Sequence, residues 1–174
     1  LVQKENNRYA LSKEQIRMIT TASALHDIGK ISIPDEILNK PGRLTAEEFA
    51  VIKGHSMAGA NMLSELPLDQ KEEPLVKTAY EICRWHHERY DGGGYPDGLK
   101  GEEIPVSAQV VALADVYDAL TSERCYKDAY SHEKAIEMIL AGQCGAFNPL
   151  MLECLLDISS SLKKKTVSYT HLTL

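Results

Sequence analysis

Histidine and aspartate residues lie on or directly after the apolar stripes of predicted helices. The six that stand out are His26, Asp27, His55, His86, His87 and Asp115. Taken singly, each is more often a hydrogen-bonded core histidine or a salt-bridged carboxylate. Together, on separate helices, they favour one metal site, because buried imidazoles and carboxylates are costly without a partner and a metal accepts both as ligands.

The ligand types indicate chemistry on a phosphate ester. Two metal ions roughly 3.5–4 Å apart ionise a bridging water, which then attacks phosphorus in line. Asp27 is the carboxylate that we expect to bridge both ions. Oxygen and nitrogen ligands fit iron, manganese or zinc, whereas no cysteine stands at the spacing of a thiolate zinc site.

Several further polar residues suit a phosphate substrate. Lys30 lies three residues after Asp27, and Arg124 and Lys127 follow the last candidate helix. These cations can bind phosphate, although a solvated helix end is the simpler interpretation of Arg124 and Lys127. Asp118 lies one turn beyond the last candidate ligand, where it orients a ligand, handles a proton or serves as a plain structural carboxylate.

The elements that must position these residues are helical nearly throughout. Capping signals occur at Ser12 with Gln15, at Thr45 with Glu48 and at Ser131. Proline marks further helix starts near residues 34, 74, 105 and 149. Gly29 is predicted to end the first helix, and the glycines of residues 91–98 interrupt the pattern with a loop. No strand is predicted.

The helix that follows Thr45 has a predicted inner stripe. Its inward-facing residues are Phe49, Ile52, Gly59, Met62 and Leu66. The last helix is predicted to run from about residue 149 to residue 162.

Composition restricts the protein class. The chain has 174 residues, of which 44% are hydrophobic and 25% charged, so one globular domain is expected. The net charge of −6 argues against general DNA or RNA binding. The longest apolar run, residues 110–114, is too short to cross a membrane. The polar start and four cysteines without a CxxC pair predict reduced thiols and a cytoplasmic protein.

Several long motifs resemble one family in the order in which they occur. They are HDIGK at 26–30, NKPGRLT at 39–45, HHERYDGGGYPDGLKGEEIP at 86–105 and ADVYDALTS at 114–122. Over about residues 12–157 the chain resembles the HD-GYP domain, a bacterial subgroup of the HD metal-dependent phosphohydrolases.

The resemblance implies a compact all-helical bundle and hydrolysis of cyclic di-GMP to pGpG or GMP in bacterial signal transduction. It implies two or three divalent ions, iron or manganese, on the six ligands named above. It further implies catalytic roles for Asp27, Lys30 and Asp118, and substrate contacts from Lys30, Tyr95, Arg124 and Lys127. Diguanylate cyclase domains and an upstream receiver domain are the implied protein partners.

The chain departs from the family pattern at a few positions. Members carry a further metal-binding histidine on an earlier helix, and three-metal members add a glutamate there, but no histidine precedes His26. We therefore expect the chain to begin after that helix, with the domain over residues 1–162 and a disordered, non-native tail over 163–174. Cys125 replaces a common proline, and Asn148 replaces a common aspartate.

Three functions stay open at this point. The first is a phosphodiesterase for cyclic di-GMP or another cyclic dinucleotide such as cyclic GMP-AMP. The second is a module of the same fold that binds a nucleotide or a protein without hydrolysis. The third is another HD-type hydrolase such as a nucleotidase, against which the GYP segment argues.

Overall fold

A computed structural model describes residues 9–123 and 128–170, with side chains to residue 162, and the described residues contain helices and no strand. The predicted all-α bundle is confirmed. The helices are α1 (Lys13–Ala22), α2 (Asp35–Leu38), α3 (Ala46–Ser64), α4 (Leu68–Lys71), α5 (Pro74–Trp85), α6 (Val106–Thr121), α7 (His132–Leu140) and α8 (Pro149–Thr170). Single 3-10 turns cover Ser23–Leu25, Ile28–Ser32 and Gly101–Glu103.

The predicted capping residues begin the helices that carry them. The Ser12 hydroxyl accepts from the amide of Gln15, whose side chain accepts in return from the Ser12 amide. Thr45 and Glu48 form the same reciprocal pair at α3. Such caps each stabilise a helix by about 1 kcal/mol, and the second fixes the start of the helix that carries His55.

One core joins α1, α3 and α5. Its fully buried residues include Ala22, Ala60, Ala79 and Ile82. The small side chains let the backbones approach closely, so α1 packs against α5 and the 3-10 segment Ile28–Ser32 packs against α3. A second core joins α6, α7 and α8 around Ile139.

Gly29 makes the tightest contact between the 3-10 turn Ile28–Ser32 and α3. A Cβ atom at Gly29 would lie 2.0 Å from the carbonyl oxygen of His55 and 2.4 Å from the amide nitrogen of Gly59. Only glycine fits this gap. The close approach sets Asp27, just before the turn, beside His55.

The structure differs from the sequence predictions in three places. The first helix ends at Ala22 rather than Gly29, because the chain continues as two 3-10 segments, and the second of them, Ile28–Ser32, packs against α3. Phe49 is 47% exposed, so its predicted place in the inner stripe is wrong. The last helix continues to Thr170, beyond the predicted end at residue 162, through lysines that favour helix; residues 171–174 lie outside the described part.

Among the described residues, none of the helices combines the length and the apolar character needed to cross a membrane.

Candidate metal centre

The six predicted ligands come from four parts of the fold. His26 and Asp27 lie between the 3-10 turns that follow α1, and His55 lies within α3. His86 caps the carboxyl end of α5, and His87 follows it. Asp115 lies in the middle of α6. The structure therefore brings together the ends of α1 and α5 with the middle of α3 and α6.

The Asp27 carboxylate lies between two histidines. Its Oδ2 is 3.3 Å from His26 Nε2, and its Oδ1 is 3.3 Å from His55 Nε2. The same nitrogen of His26 approaches a second carboxylate, with 3.8 Å between His26 Nε2 and Asp115 Oδ1. The placement of Asp27 agrees with its predicted bridging role, which stays a prediction.

The remaining histidines form a compact group. The nearest ligand atoms of His55, His86 and His87 all lie within 4.8 Å of one another, a separation at which they can share one ion. His55 and His86 are each 1% exposed, so their imidazoles have essentially no contact with water.

Main-chain carbonyls orient three of the rings. The Nδ1 atoms of His26, His55 and His86 lie 2.7–2.8 Å from the carbonyl oxygens of Ser23, Ile52 and Ile82, respectively. Because a carbonyl only accepts, each Nδ1 carries the hydrogen. In the neutral rings Nε2 then holds a lone pair, which is the state that binds metal.

This orientation makes the site fit a divalent cation. The Nε2 atoms of His55 and His86 face each other at 3.4 Å. Two lone pairs at that distance repel, whereas two nitrogens bound to one ion at about 2.0–2.2 Å would stand about this far apart. The nitrogen and oxygen donors suit iron, manganese or zinc.

Burial keeps most of the imidazoles neutral. It lowers the pKa of His86 to about 4, and burial together with the neighbouring His86 lowers the pKa of His87 to about 3. Burial also lowers the pKa of His55. These three rings are therefore available as ligands at neutral pH without first losing a proton.

His26 behaves differently, because carboxylates surround it. Hydrogen bonds with Asp115 and Asp27 raise the pKa of His26 to about 10. Burial pushes the pKa of Asp27 upward, but hydrogen bonds from His26 and Lys30 outweigh it and hold that pKa well below its usual range. A metal ion at His26 must displace this proton.

We expect the metal-free protein to lose stability as the pH falls below about 6.5, the pKa of an unfolded histidine. Between pH 6.5 and 4, the unfolded chain takes up protons that native His86 and His87 refuse. The unfolding free energy should drop by up to roughly 1.4 kcal/mol per pH unit for each ring. His26 adds nothing here, since it is protonated in both states. Thermal denaturation of chelator-treated protein measures this, and a constant Tm from pH 6.5 to 4.5 contradicts it.

The glycine-rich loop, residues 91–98, covers one side of the histidine group. The Tyr95 ring stacks on His87 with centroids 4.8 Å apart and planes 25° from parallel. A cis peptide bond joins Tyr95 to Pro96. Burial raises the pKa of Tyr95 to about 12, so its hydroxyl stays protonated beside the site.

Two carboxylates that the sequence predictions missed hold this loop. Oε1 of the buried Glu88 accepts hydrogen bonds from the amides of Asp97 and Gly98, at 2.8 and 3.0 Å. The Asp97 carboxylate in turn accepts from the guanidinium of Arg84 and the indole of Trp85. Glu88 directly follows the histidine pair in the sequence, and this position was the signal that could have marked Glu88 as a residue of the site.

The other predicted residues have varied positions. Lys30 Nζ forms an ion pair with Asp27 and is 41% exposed, so it borders the site. Asp118 is exposed, accepts from the Ser122 hydroxyl, and lines an apolar groove between α1, α6 and α8. Arg124 and Lys127, like Cys125, lie outside the described residues.

Comparison with known proteins gives consistent matches. The sequence model of the HD domain family matches residues 1–147. A probable cyclic di-GMP phosphodiesterase of Vibrio cholerae is 44% identical over 90% of this chain and 36% of its own length. The cyclic di-GMP phosphodiesterase response regulator RpfG of Xanthomonas campestris is 45% identical over 88% of this chain and 39% of its own length.

A third relative differs in its named substrate. The 3'3'-cGAMP-specific phosphodiesterase 2 of Vibrio cholerae is 42% identical over 86% of this chain and 28% of its own length. The chain thus spans about a third of the length of these curated relatives.

Proposed function

Because this chain belongs to the HD domain family, in its HD-GYP branch, we propose that it hydrolyses a phosphodiester bond of a cyclic dinucleotide. Cyclic di-GMP is the proposed substrate, and pGpG or GMP is the product. The observation that carries the proposal is the pair of inward-facing Nε2 atoms on His55 and His86, 3.4 Å apart and beside the Asp27 carboxylate.

The chain's own residues would hold two or three ions, iron or manganese, on the six ligands. When bound, such ions supply an ionised water near neutral pH and neutralise charge on the phosphate. Asp27 is placed to contact both the His26 side and the His55 side. Hydrogen bonds to main-chain carbonyl oxygens orient the rings of His26, His55 and His86, so that their Nε2 atoms point into the site.

Lys30 is the proposed phosphate contact at this centre. Its ammonium lies on the Asp27 carboxylate at the exposed edge, where a phosphate that approaches the ligands also meets it. Tyr95 borders the histidine group by stacking on His87, and it is a proposed substrate contact. Arg124 and Lys127 stay proposed phosphate contacts on the basis of the motif alone. Asp118 likewise stays a proposed catalytic residue on the basis of the motif alone.

The proposed partners follow from the resemblance. They are an upstream receiver domain and diguanylate cyclase domains, and one relative is itself named a response regulator.

Metal dependence is the direct test of this function. We expect chelator-treated protein to be inactive, and Mn²⁺ or Fe²⁺ under reducing conditions to restore cyclic di-GMP hydrolysis and raise the Tm. Chromatography of the nucleotide products and elemental analysis of the protein measure both effects.

The outcomes separate the alternative functions. Metal uptake without hydrolysis of any cyclic dinucleotide contradicts the proposal and favours the binding module. If the protein prefers 3'3'-cGAMP over cyclic di-GMP, the proposed reaction stands and only the proposed substrate changes. Hydrolysis of linear nucleotides alone favours a nucleotidase.

A further inference from the structure

Phe49 presents an aromatic ring to solvent close to the proposed centre. It lies in the first two turns of α3, the helix that also carries His55, and is 47% exposed. An exposed phenyl ring gains nothing from the core, and beside a ligand site it offers a flat apolar face.

Lys53 lies one turn further along the same helix and joins Phe49 to the loop. Its Nζ is 5.0 Å from the ring centroid of Phe49 and 5.2 Å from that of Tyr95. Among the described side chains, no carboxylate pairs with this ammonium. Its contacts are two aromatic rings, so its donors stay available to an acceptor.

Tyr95 connects this pair of residues to the centre. The Tyr95 ring stacks on His87, and the Lys53 ammonium lies over the same Tyr95 ring. Phe49 and Lys53 are therefore separated from the histidine group by a single aromatic side chain. If a phosphate of a cyclic dinucleotide lies at the metal ligands, the bases must lie beyond the side chains that contact this phosphate.

We propose that Phe49 and Lys53 form a purine-binding subsite, a proposal that rests on the function proposed above. One base stacks on the exposed face of Phe49, because every nucleobase has a face that stacks on aromatic rings. Lys53 donates to O6 and N7 of guanine, the two acceptors that lysine reads on that base. Adenine carries an amino donor in place of O6, so Lys53 favours guanine over adenine.

The test compares Phe49→Leu and Lys53→Gln with the wild type on three substrates. These are cyclic di-GMP, cyclic di-AMP and bis(p-nitrophenyl) phosphate, which has no base. We expect Phe49→Leu to raise KM for both dinucleotides by roughly tenfold, from lost stacking. We expect Lys53→Gln to lower the guanine preference by roughly tenfold. Hydrolysis of bis(p-nitrophenyl) phosphate should not change.

Val51→Ala is the matched control, since Val51 is an exposed apolar residue of the same helix. Unchanged KM and guanine preference in both variants overturn the subsite. A parallel loss on bis(p-nitrophenyl) phosphate also overturns it, because the residues then act on the centre.

Calorimetry of GMP binding to metal-free protein gives a readout without turnover. We expect both variants to bind GMP more weakly than wild type, and equal affinity overturns the subsite. If wild type hydrolyses no dinucleotide, the proposed function fails, and GMP binding alone then decides whether the subsite exists.

Discussion

We expect the replacement of Asp27 with asparagine to abolish metal uptake and to lower the proposed hydrolysis of cyclic di-GMP by at least about a thousandfold, since metal activation lowers the barrier by several kcal/mol. Asparagine keeps the volume but removes the negative charge that faces both His26 and His55. Its amide also places a donor where a ligand oxygen stands. Elemental analysis and turnover of the purified variant measure the two losses.

The matched control for that variant is Asp69→Asn, which makes the same change at an exposed position of α4. The control should keep its metal and activity. The circular dichroism of the Asp27 variant should match that of wild type, because α1, α3 and α5 pack through apolar residues. Wild-type turnover in Asp27→Asn would exclude the proposed mechanism.

Replacing Gly29 with alanine produces the largest expected loss of stability. The new methyl group would lie 2.0 Å from the His55 carbonyl oxygen and 2.4 Å from the Gly59 amide. Both are backbone atoms of α3, so no side-chain rotation relieves the clash. We expect the unfolding free energy to fall by about 3 kcal/mol and the Tm by roughly 6–12 °C. Metal affinity should fall too, since the turn that carries Asp27 must move away from His55.

Gly54→Ala is the control, because Gly54 lies on α3, the helix that Gly29 contacts. A Cβ there meets nothing within 4 Å, and alanine is the better helix former by about 1 kcal/mol. The Tm of this variant should stay equal or rise. Equal Tm values for the Gly29 and Gly54 variants would contradict the close packing of the turn on α3. Denaturant unfolding of both variants gives the free energies directly.

The helix starts and the ligands were predictable because their signals are local. A capping box needs only Thr45 and a glutamate three residues later, and both reappear as reciprocal hydrogen bonds. The polar residues on apolar stripes were recognisable as anomalies of burial, and His55 and His86 are indeed 1% exposed. A polar residue that is costly to bury can be recognised in an apolar stretch of sequence, even when its partner is not known.

The missed features depend on contacts between distant parts of the chain. Phe49 has the helical spacing of a core residue, but its ring is largely exposed and is in contact with the Lys53 ammonium. The bond from the Gly98 amide to Glu88 depends on how the glycine-rich loop folds back on α5. Periodicity reports which residues share a face, not what that face meets.

The main-chain carbonyls behind the histidines have a consequence for how this site changes over evolutionary time. Ser23, Ile52 and Ile82 orient three rings through backbone oxygen atoms, which every amino acid supplies. Orientation by a side-chain carboxylate is lost in one substitution, whereas these acceptors persist as long as the helices do. Residues around the centre are therefore free to diversify, and new substrate preferences can arise without misdirecting the rings.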